Sequence, residues 1–304
     1  MDTSSNVMST SGDGSIRQWN RDGTPVGKPW HVDGGGVKSL TLSPDGTMAA
    51  SGSVDGRLRL WNIEEGRVVG DSLEGHKDEV DCLDWSPNGL EIASGSVDGT
   101  VRRWNPDTCQ QIGPTIDTGH EWVYAIKYSP QSDKFASGGH DRIIRVWSKD
   151  GKLLNEIKGH DSRVNSLCWS KDGVHIFSGS SDHIIRKWQS IDGKEVFVLR
   201  GHSNAVTSIC VSPDELHLVS ASIDYSVRIW DLKTNYQVGD PLLHDDQLFT
   251  VVLSSDRRYI ASAGLDKSIY IWSLEAALKH GDRVRAHINI AIPFARSLIG
   301  FVLW

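Results

Sequence analysis

Seven tryptophans recur along this chain at an almost constant spacing, and this period restricts the possible fold more than any other feature. Successive tryptophans are 42, 43, 43, 41, 42 and 42 residues apart. An aspartate stands six residues before each of them, and a serine stands four residues before each aspartate. The tryptophans are Trp19, Trp61, Trp104, Trp147, Trp188, Trp230 and Trp272. Such a period predicts a repeat architecture in which each repeat is one supersecondary unit.

The residues between these marks have the pattern of short β-strands. Segments such as "RLRLW", "IIRVW" and "SVRIW" alternate apolar and basic residues, as expected of half-buried strands. Turn signals such as "SPDG" and "SKDG" separate the runs. Each period has room for four strands, and only "SLEAALKHG" near Ser273 suggests about one turn of helix. The sequence therefore predicts an all-β protein.

The segment "GHSNAVTSICVSPDELHLVSASIDYSVRIWD" (residues 201–231) resembles a WD40 repeat, with an opening Gly-His, three strands, a turn aspartate and a closing Trp-Asp. The resemblance extends to about residue 287. It implies a single domain, residues 1–304, folded as a seven-bladed β-propeller with four antiparallel strands in each blade. The expected repeats are residues 7–20 with a C-terminal strand near 287–297, then 31–62, 76–105, 120–148, 160–189, 202–231 and 244–273.

The resemblance also implies that one histidine, serine, aspartate and tryptophan form a hydrogen-bonded set in each blade. Six histidines lie in position for such sets, namely His31, His76, His120, His160, His202 and His244. Three of the sets are His76, Ser94, Asp98 and Trp104; His160, Ser178, Asp182 and Trp188; and His202, Ser220, Asp224 and Trp230. We expect them to be structural because they recur in every blade, whereas a hydrolase needs one triad. No catalytic residue, metal ligand or cofactor is predicted.

The first repeat has no inner strand at the N-terminus, so we expect the two termini to share one blade, which would leave no open sheet edge. His287 lies 15 residues after Trp272. We predict that it completes a set with Ser9, Asp13 and Trp19, and that residues 288–292 supply the inner strand. Residues 298–304 are expected to form an apolar tail.

Charge and composition restrict the partners. Lysine and arginine number 32 against 39 aspartates and glutamates, a net charge of -7, so neither nucleic acid nor an anionic membrane surface is expected. Residues 288–304 are apolar but contain Pro293 and Arg296, and they are too short for a spanning helix of about 20 residues. The four cysteines show no Cys-x-x-Cys spacing, and the chain starts without the pattern of a secretory signal. We expect a monomeric propeller in the cytoplasm or nucleus.

In WD40 proteins partners often dock on the face that carries the loops after Gly-His. The resemblance places nine candidate partner-binding residues there: Trp122, Tyr124, His140, Arg163, Asn165, Phe249, Lys38, Glu79 and Asp81. Aromatic residues and arginine are enriched at binding hot spots. Glu79 and Asp81 opposite Arg163 would give this face two electrical poles, which could orient a bound peptide.

The favoured function is therefore a non-catalytic scaffold that binds other proteins or peptides. Two alternatives stay open from the sequence. One is a propeller enzyme or small-ligand binder that uses the central channel, which would need a cluster of carboxylates or histidines in one blade. The other is a fragment of a larger signalling protein in which the repeats are the sensing module.

Overall fold

The computed structural model describes residues 7–20, 22–280, 288–291 and 298–303. These residues form seven antiparallel β-sheets, which we call blades 1 to 7 in chain order. The innermost strands of neighbouring blades contact each other all the way round, so the sheets form a closed ring. The prediction of a seven-bladed β-propeller with four strands per blade is confirmed, except that blade 3 divides its outer strand into two short pieces.

The strands of the first three blades are as follows. Blade 1 contains β1 (Val7–Ser11), β2 (Ser15–Trp19) and β3 (Pro25–His31), joined by β29 (Leu298–Leu303). Blade 2 contains β4 (Val37–Leu42), β5 (Met48–Ser53), β6 (Leu58–Asn62) and β7 (Arg67–Leu73). Blade 3 contains β8 (Val80–Trp85), β9 (Ile92–Ser96), β10 (Thr100–Asn105), β11 (Gln110–Gln111) and β12 (Ile116–Asp117).

The remaining blades repeat the same order from the inner to the outer strand. Blade 4 contains β13 (Val123–Tyr128), β14 (Lys134–Gly139), β15 (Ile144–Ser148) and β16 (Leu153–Ile157). Blade 5 contains β17 (Val164–Trp169), β18 (His175–Ser180), β19 (Ile184–Gln189) and β20 (Glu195–Arg200). Blade 6 contains β21 (Val206–Val211), β22 (His217–Ser222), β23 (Ser226–Asp231) and β24 (Tyr236–Leu243). Blade 7 contains β25 (Leu248–Leu253), β26 (Tyr259–Gly264), β27 (Ser268–Ser273) and β28 (Ile288–Ala291), with helix α1 (Leu274–His280) before β28.

The hydrophobic core lies between neighbouring blades rather than in the centre of the ring. Between blades 2 and 3, for example, Leu58 and Leu60 pack with Leu83, Ile92 and Trp104 in one buried cluster. The repeating tryptophan of each third strand is 2 to 5% exposed. Because each sheet buries both faces against its neighbours, one blade could not cover its own apolar side chains, and the stacked ring is the stable unit.

The turn after the repeating aspartate, between the second and third strands, needs a positive φ. Gly56 and Gly99, which directly follow the aspartate in blades 2 and 3, have φ values of 76° and 78°. The aspartate also fixes the turn through its carboxylate, since the backbone N–H of Thr100 donates to Oδ1 of Asp98 at 2.9 Å. We call the end of the ring that carries these turns the top face, and the opposite end the bottom face.

The termini do share blade 1, but the strand that closes the ring is not the predicted one. Strand β29 pairs with β1, and Val302 lies opposite Met8. Strand β28, which we expected to be the inner strand, instead pairs with β27 and forms the outer edge of blade 7. Residues 298–303 are therefore the closing strand rather than a tail.

The reason for this shift is helix α1 (Leu274–His280). In blades 2, 4, 5 and 6 a short turn leads directly from the tryptophan strand to the outer strand, whereas here the helix occupies that stretch of chain. Both the outer strand of blade 7 and the inner strand of blade 1 consequently come later in the sequence. The predicted contact of His287 with Ser9, Asp13 and Trp19 lies outside the described residues. Within blade 1, Nε1 of Trp19 donates to Oγ of Ser9 at 2.9 Å.

Candidate functional site

Five blades bring together a histidine, serine, aspartate and tryptophan with similar geometry. In blade 6, His202 lies 2.9 Å from Asp224 through Nδ1 and 2.7 Å from Oγ of Ser220 through Nε2, and Trp230 donates to the same hydroxyl at 2.9 Å. The same contacts join His76, Ser94, Asp98 and Trp104, and join His160, Ser178, Asp182 and Trp188. They also join His120, Ser137, Asp141 and Trp147, and His244, Ser262, Asp266 and Trp272.

This connection of aspartate, histidine and serine is the one found in hydrolase triads. The carboxylate accepts from Nδ1–H, so Nε2 is free to accept the serine proton, and the serine oxygen then accepts the indole N–H. Ser220, however, is fully buried and Trp230 is 2% exposed. A hydroxyl enclosed in this way has no route to a substrate carbonyl, and the geometry supports a structural function for these sets.

The protonation states of the sets follow from their burial. Burial lowers the pKa of His202, and the neighbouring carboxylate of Asp224 opposes this only in part. Burial raises the pKa of Asp224, but hydrogen bonds from His202 and Ser226 outweigh it and hold that pKa well below its ordinary value. At neutral pH the set therefore contains a charged aspartate and a neutral histidine.

Blade 2 departs from the prediction, because His31 does not join Ser51, Asp55 and Trp61. Trp30 is buried and stacks on Trp61 with the ring centroids 5.4 Å apart. Since side chains alternate along a strand, the neighbouring His31 lies on the other side of β3 and is exposed. Trp61 keeps its hydrogen bond to Ser51 at 2.8 Å.

Arg59 binds the aspartate of blade 2. Its Nη2 donates to Oδ2 of Asp55 and to the carbonyl oxygen of Asp33, both at 2.7 Å. Arg59 is buried, so its charge and that of Asp55 balance each other with little help from water.

On the top face of blade 4, an aromatic cluster lies partly open to solvent. The rings of Trp122 and Tyr124 meet edge to face with centroids 6.0 Å apart, and Trp122 lies 5.4 Å from His140. The guanidinium of Arg163, from blade 5, lies 5.3 Å from the centroid of Tyr124. Trp122 is 44% exposed. We call these four residues the aromatic patch.

Polar partners outside the patch hold its two ends. Nδ1 of His140 lies 2.9 Å from Oε2 of Glu121, and Nε of Arg163 donates to Oγ of Ser181 at 3.0 Å. Burial raises the pKa of the Tyr124 hydroxyl although Arg163 opposes this, so the phenol is neutral at physiological pH. The sequence reasoning did not identify Glu121, whose only signal was its position beside Trp122.

The mouth of the central channel is formed by the equivalent inner-strand position of six consecutive blades. These residues line one cavity of about 190 Å³ and are Lys38, Asp81, Tyr124, Asn165, Thr207 and Phe249. Asn165 donates to Ser181 at 2.9 Å and to the carbonyl oxygen of Val206 at 2.8 Å. Tyr124 of the aromatic patch and the predicted residues Asn165 and Phe249 therefore line the same opening.

The predicted acidic pole is partly neutralised. Nζ of Lys38 lies 2.7 Å from Oε2 of Glu79 and 3.8 Å from Oδ1 of Asp81. Burial raises the pKa of Asp81, although Lys38 opposes this. These three residues form one ion-pair cluster, so the contrast with Arg163 is weaker than the sequence suggested.

A second ion pair lies deeper in the channel and was not predicted. Nζ of Lys127 lies 2.6 Å from Oδ1 of Asp84, and Oδ2 of Asp84 accepts from the backbone N–H of Tyr128 at 2.8 Å. Cys168 and Cys210 occupy the equivalent inner-strand positions of the next two blades. In the sequence, the ion pair could have been recognised because Asp84 and Lys127 occupy the inner-strand position at which blades 5 and 6 have cysteine.

All four cysteines are free thiols. In the part of the chain that the structure describes, no three histidine, cysteine or acidic side chains are grouped so that they could hold a metal ion. Within the same residues no helix is long and apolar enough to cross a membrane.

The family model described as "WD domain, G-beta repeat" matches six segments, residues 23–62, 68–105, 113–148, 151–189, 193–231 and 242–273. Together these segments cover more than half of the chain. The chain belongs to the WD40 repeat family. Each matched segment of this WD40 protein ends with the tryptophan strand of one of blades 2 to 7 and begins in or just before the outer strand of the preceding blade, so the sequence repeat is offset from the blade by one strand.

Two curated relatives share a short segment with this WD40 protein. Over 63 residues it is 33% identical to the small ribosomal subunit protein RACK1y of Oryza sativa subsp. japonica. Over 62 residues it is 36% identical to the small ribosomal subunit protein RACK1 of Caenorhabditis elegans. These segments cover 21% and 20% of this chain and 19% of each relative's length.

Proposed function

We propose that this WD40 protein is a non-catalytic scaffold that captures partner proteins or peptides on its top face, with the aromatic patch as the main contact. The observation that carries the proposal is the exposure of Trp122, which is 44% accessible although it lies in a rigid propeller. Leaving so large an apolar ring in water is unfavourable, and covering it with a partner would recover that free energy.

The patch is organised before any partner arrives. Trp122 contacts Tyr124 and His140, and Arg163 is held both by the ring of Tyr124 and by Ser181. Side chains that are already ordered lose little conformational entropy on binding, and this is how a small surface reaches useful affinity. Aromatic rings and arginine are also the residue types most common at binding hot spots.

The other predicted residues would frame the contact. Lys38, Glu79 and Asp81 form the ion-pair cluster in blades 2 and 3, next to the patch of blade 4. Asn165 and Phe249 line the same opening from blades 5 and 7. We infer that this polar cluster sets the orientation of the bound segment, because charges at a rim contribute more to specificity than to affinity.

The names of the two relatives place them in the small ribosomal subunit. The match covers 19% of each relative's length. On this basis we choose ribosomal proteins as the first partners to be examined. A location in the cytoplasm or nucleus stays a prediction that fits this choice.

The test is affinity capture with the full chain, followed by mass spectrometry of the captured proteins. Wild type is compared with the double variant Trp122→Ala and Arg163→Ala. The control variant is Ile191→Ala with Lys194→Ala, which removes an exposed apolar side chain and a cation near the bottom face. We expect the first variant to lose a set of partners that the control retains, at an unchanged melting temperature.

Equal capture by the wild type and the Trp122 and Arg163 variant would contradict the proposal. If the control variant loses the partners instead, the binding surface must lie on the bottom face. Each partner that depends on the patch is then mixed with the purified propeller, since direct binding separates a true contact from one bridged by another protein.

A further inference from the structure

Four consecutive blades carry a side chain at a turn position where the other three have glycine. Gly14, Gly56 and Gly99 follow the turn aspartates of blades 1 to 3, with φ between 76° and 82°. The equivalent residues of blades 4 to 7 are Arg142, His183, Tyr225 and Lys267, with φ between 60° and 71°. All four side chains are exposed on the top face. A side chain in this conformation is less favourable than glycine, so fold stability does not account for these residues.

In blades 4 and 5 the outer strand adds a cation beside each of these turns. Ile184, directly after His183, lies opposite Arg200 of β20. Ile144, which is two residues after Arg142, lies opposite Ile157, and Lys158 follows it. We call Arg142, Lys158, His183 and Arg200 the basic rim, because they follow the outer part of the top face across two neighbouring blades.

Two cations of the basic rim have no partner within the described residues. Arg142 and Arg200 form no ion pair and no side-chain hydrogen bond there, in contrast to Arg145, which binds both Asp141 and Glu156. Lys158 lies 3.6 Å from Glu156, and this carboxylate balances the charge of Lys158 because Arg145 has only one charge for its two carboxylates. Asp161 in the loop between the two blades is exposed and offsets one further charge. The guanidinium groups of Arg142 and Arg200 are therefore the part of the basic rim that is open to an anionic partner.

We propose that the basic rim is a second recognition site on the top face and binds an extended peptide segment rich in anionic side chains. Guanidinium groups without internal partners offer several N–H donors to carboxylates or phosphates. A peptide is favoured over nucleic acid because the protein is acidic overall and the basic rim has too few cations to contact a series of phosphates along a nucleic-acid backbone. The inference rests on the proposed function only in assigning partner binding to the top face.

The experiment measures binding of the full chain to fluorescent peptides by anisotropy at low and at physiological ionic strength. The probes are a short peptide of alternating glutamate and glycine, the same peptide with glutamine, the same peptide with phosphoserine, and a single-stranded oligouridine. We expect the glutamate or phosphoserine peptide to bind, the glutamine peptide not to bind, and the affinity to fall as salt is added. The relative affinity of the two anionic peptides distinguishes carboxylate from phosphate recognition.

Because glycine is favourable at a positive φ, a substitution to glycine at this turn position removes the side chain without destabilising the fold. Arg142→Gly places at a positive φ the residue that blades 1 to 3 already use, and Arg200→Gln removes an exposed charge. We expect this pair of changes to weaken the binding of the anionic peptide by at least about tenfold. Lys267→Gly makes the same turn change in blade 7 and is the matched control. Arg142→Lys keeps the charge but loses the guanidinium donors, so it should bind more tightly than Arg142→Gly and more weakly than the wild type.

Four results would overturn the inference. These are no binding of either anionic peptide, equal binding of the glutamine peptide, an unchanged affinity in the Arg142 and Arg200 variant, and tighter binding of oligouridine than of both anionic peptides. The variant Trp122→Ala with Arg163→Ala separates this site from the aromatic patch. If this variant still binds the anionic peptide but loses its protein partners, both proposed sites are supported. If the wild type binds no anionic peptide but still captures partners, only the proposal of the basic rim is wrong.

Discussion

Buried Arg59 and half-buried Asp55 form an ion pair with a separation of 2.7 Å, and in five other blades the equivalent aspartate contacts a histidine. We predict that Arg59→Ala lowers the free energy of unfolding by about 3 kcal/mol, because it leaves the carboxylate of Asp55 poorly solvated and without its cation. His31→Ala should change it by less than about 0.5 kcal/mol, as His31 is exposed. Urea unfolding of both variants measures the difference, and a larger effect at His31 would contradict this account of blade 2.

The serine of each set connects the histidine to the tryptophan, and its loss should affect both. In blade 6, Ser220→Ala would leave Nε2 of His202 and Nε1 of Trp230 without their shared hydroxyl. We expect a loss of about 1 to 3 kcal/mol in the free energy of unfolding, the usual effect of stranding a buried polar group. Ser203→Ala, at an exposed position in the same blade, is the control. The prediction fails if the two variants unfold at the same denaturant concentration.

Acid should destabilise the propeller in two stages. The pKa values of His202 and His244 are lowered by burial, so the unfolded chain binds protons more readily and stability falls as the pH drops below about 6.5. Burial raises the pKa of Asp141, but hydrogen bonds from His120 and Arg145 lower it to about 2. Stability from this depressed pKa is present above about pH 4, the unfolded value, and is lost as the pH falls towards 2.

Chemical unfolding at a series of pH values measures both stages. The first stage should weaken in a variant with His244→Asn, because the buried titrating group is gone, while the second stage should persist. A free energy of unfolding that stays constant between pH 7 and pH 5 would contradict the assignment of the first stage to buried histidines.

Ring closure depends on the backbone of β29. Val302→Pro removes an N–H from a strand paired with β1 and should lower the free energy of unfolding by about 3 kcal/mol. The comparison is Ile290→Pro in β28, the outer strand of blade 7. Each of the two strands pairs with one neighbour, but β29 also contacts the inner strands β4 and β25 of the adjacent blades, so a smaller loss is expected for the β28 variant. Thermal unfolding ranks the two variants. A larger loss for the β28 variant would show that the outer strand matters more than the closing strand.

The sequence predicted the propeller because its signals are local and repeated. A tryptophan, an aspartate and a serine at set distances were enough to indicate the strands, the turns and five of the hydrogen-bonded sets. The errors fell where a blade departs from the period. Helix α1 displaced both C-terminal strands, and Trp30 took the buried side of β3, which placed His31 in solvent. Neither departure can be predicted from the repeat pattern, since each depends on how individual side chains pack in one blade.

The candidate site was predictable in part. The residue types and their position after the Gly-His loops indicated Trp122, Tyr124 and Arg163, and the structure brings their side chains together. The partners of the charges were not predictable. The pairing of Lys38 with Glu79 joins blades 2 and 3 and weakens the predicted acidic pole.

The sequence by itself determined the class of fold, the number of blades and the identity of the repeated buried groups, because burial pattern and turn chemistry act over a few residues and recur in each repeat. Only the tertiary structure decided which strand closes the ring and which charges on the top face remain unpaired. Arg145 and Arg142 illustrate the physical reason. They lie in the same short segment, yet Arg145 in β15 binds Asp141 of the turn and Glu156 of the paired strand β16, whereas Arg142 lies in the turn itself with a φ of 70° and is exposed. That difference depends on the backbone conformation of the turn and on the register of the strands, which the residue types alone do not specify.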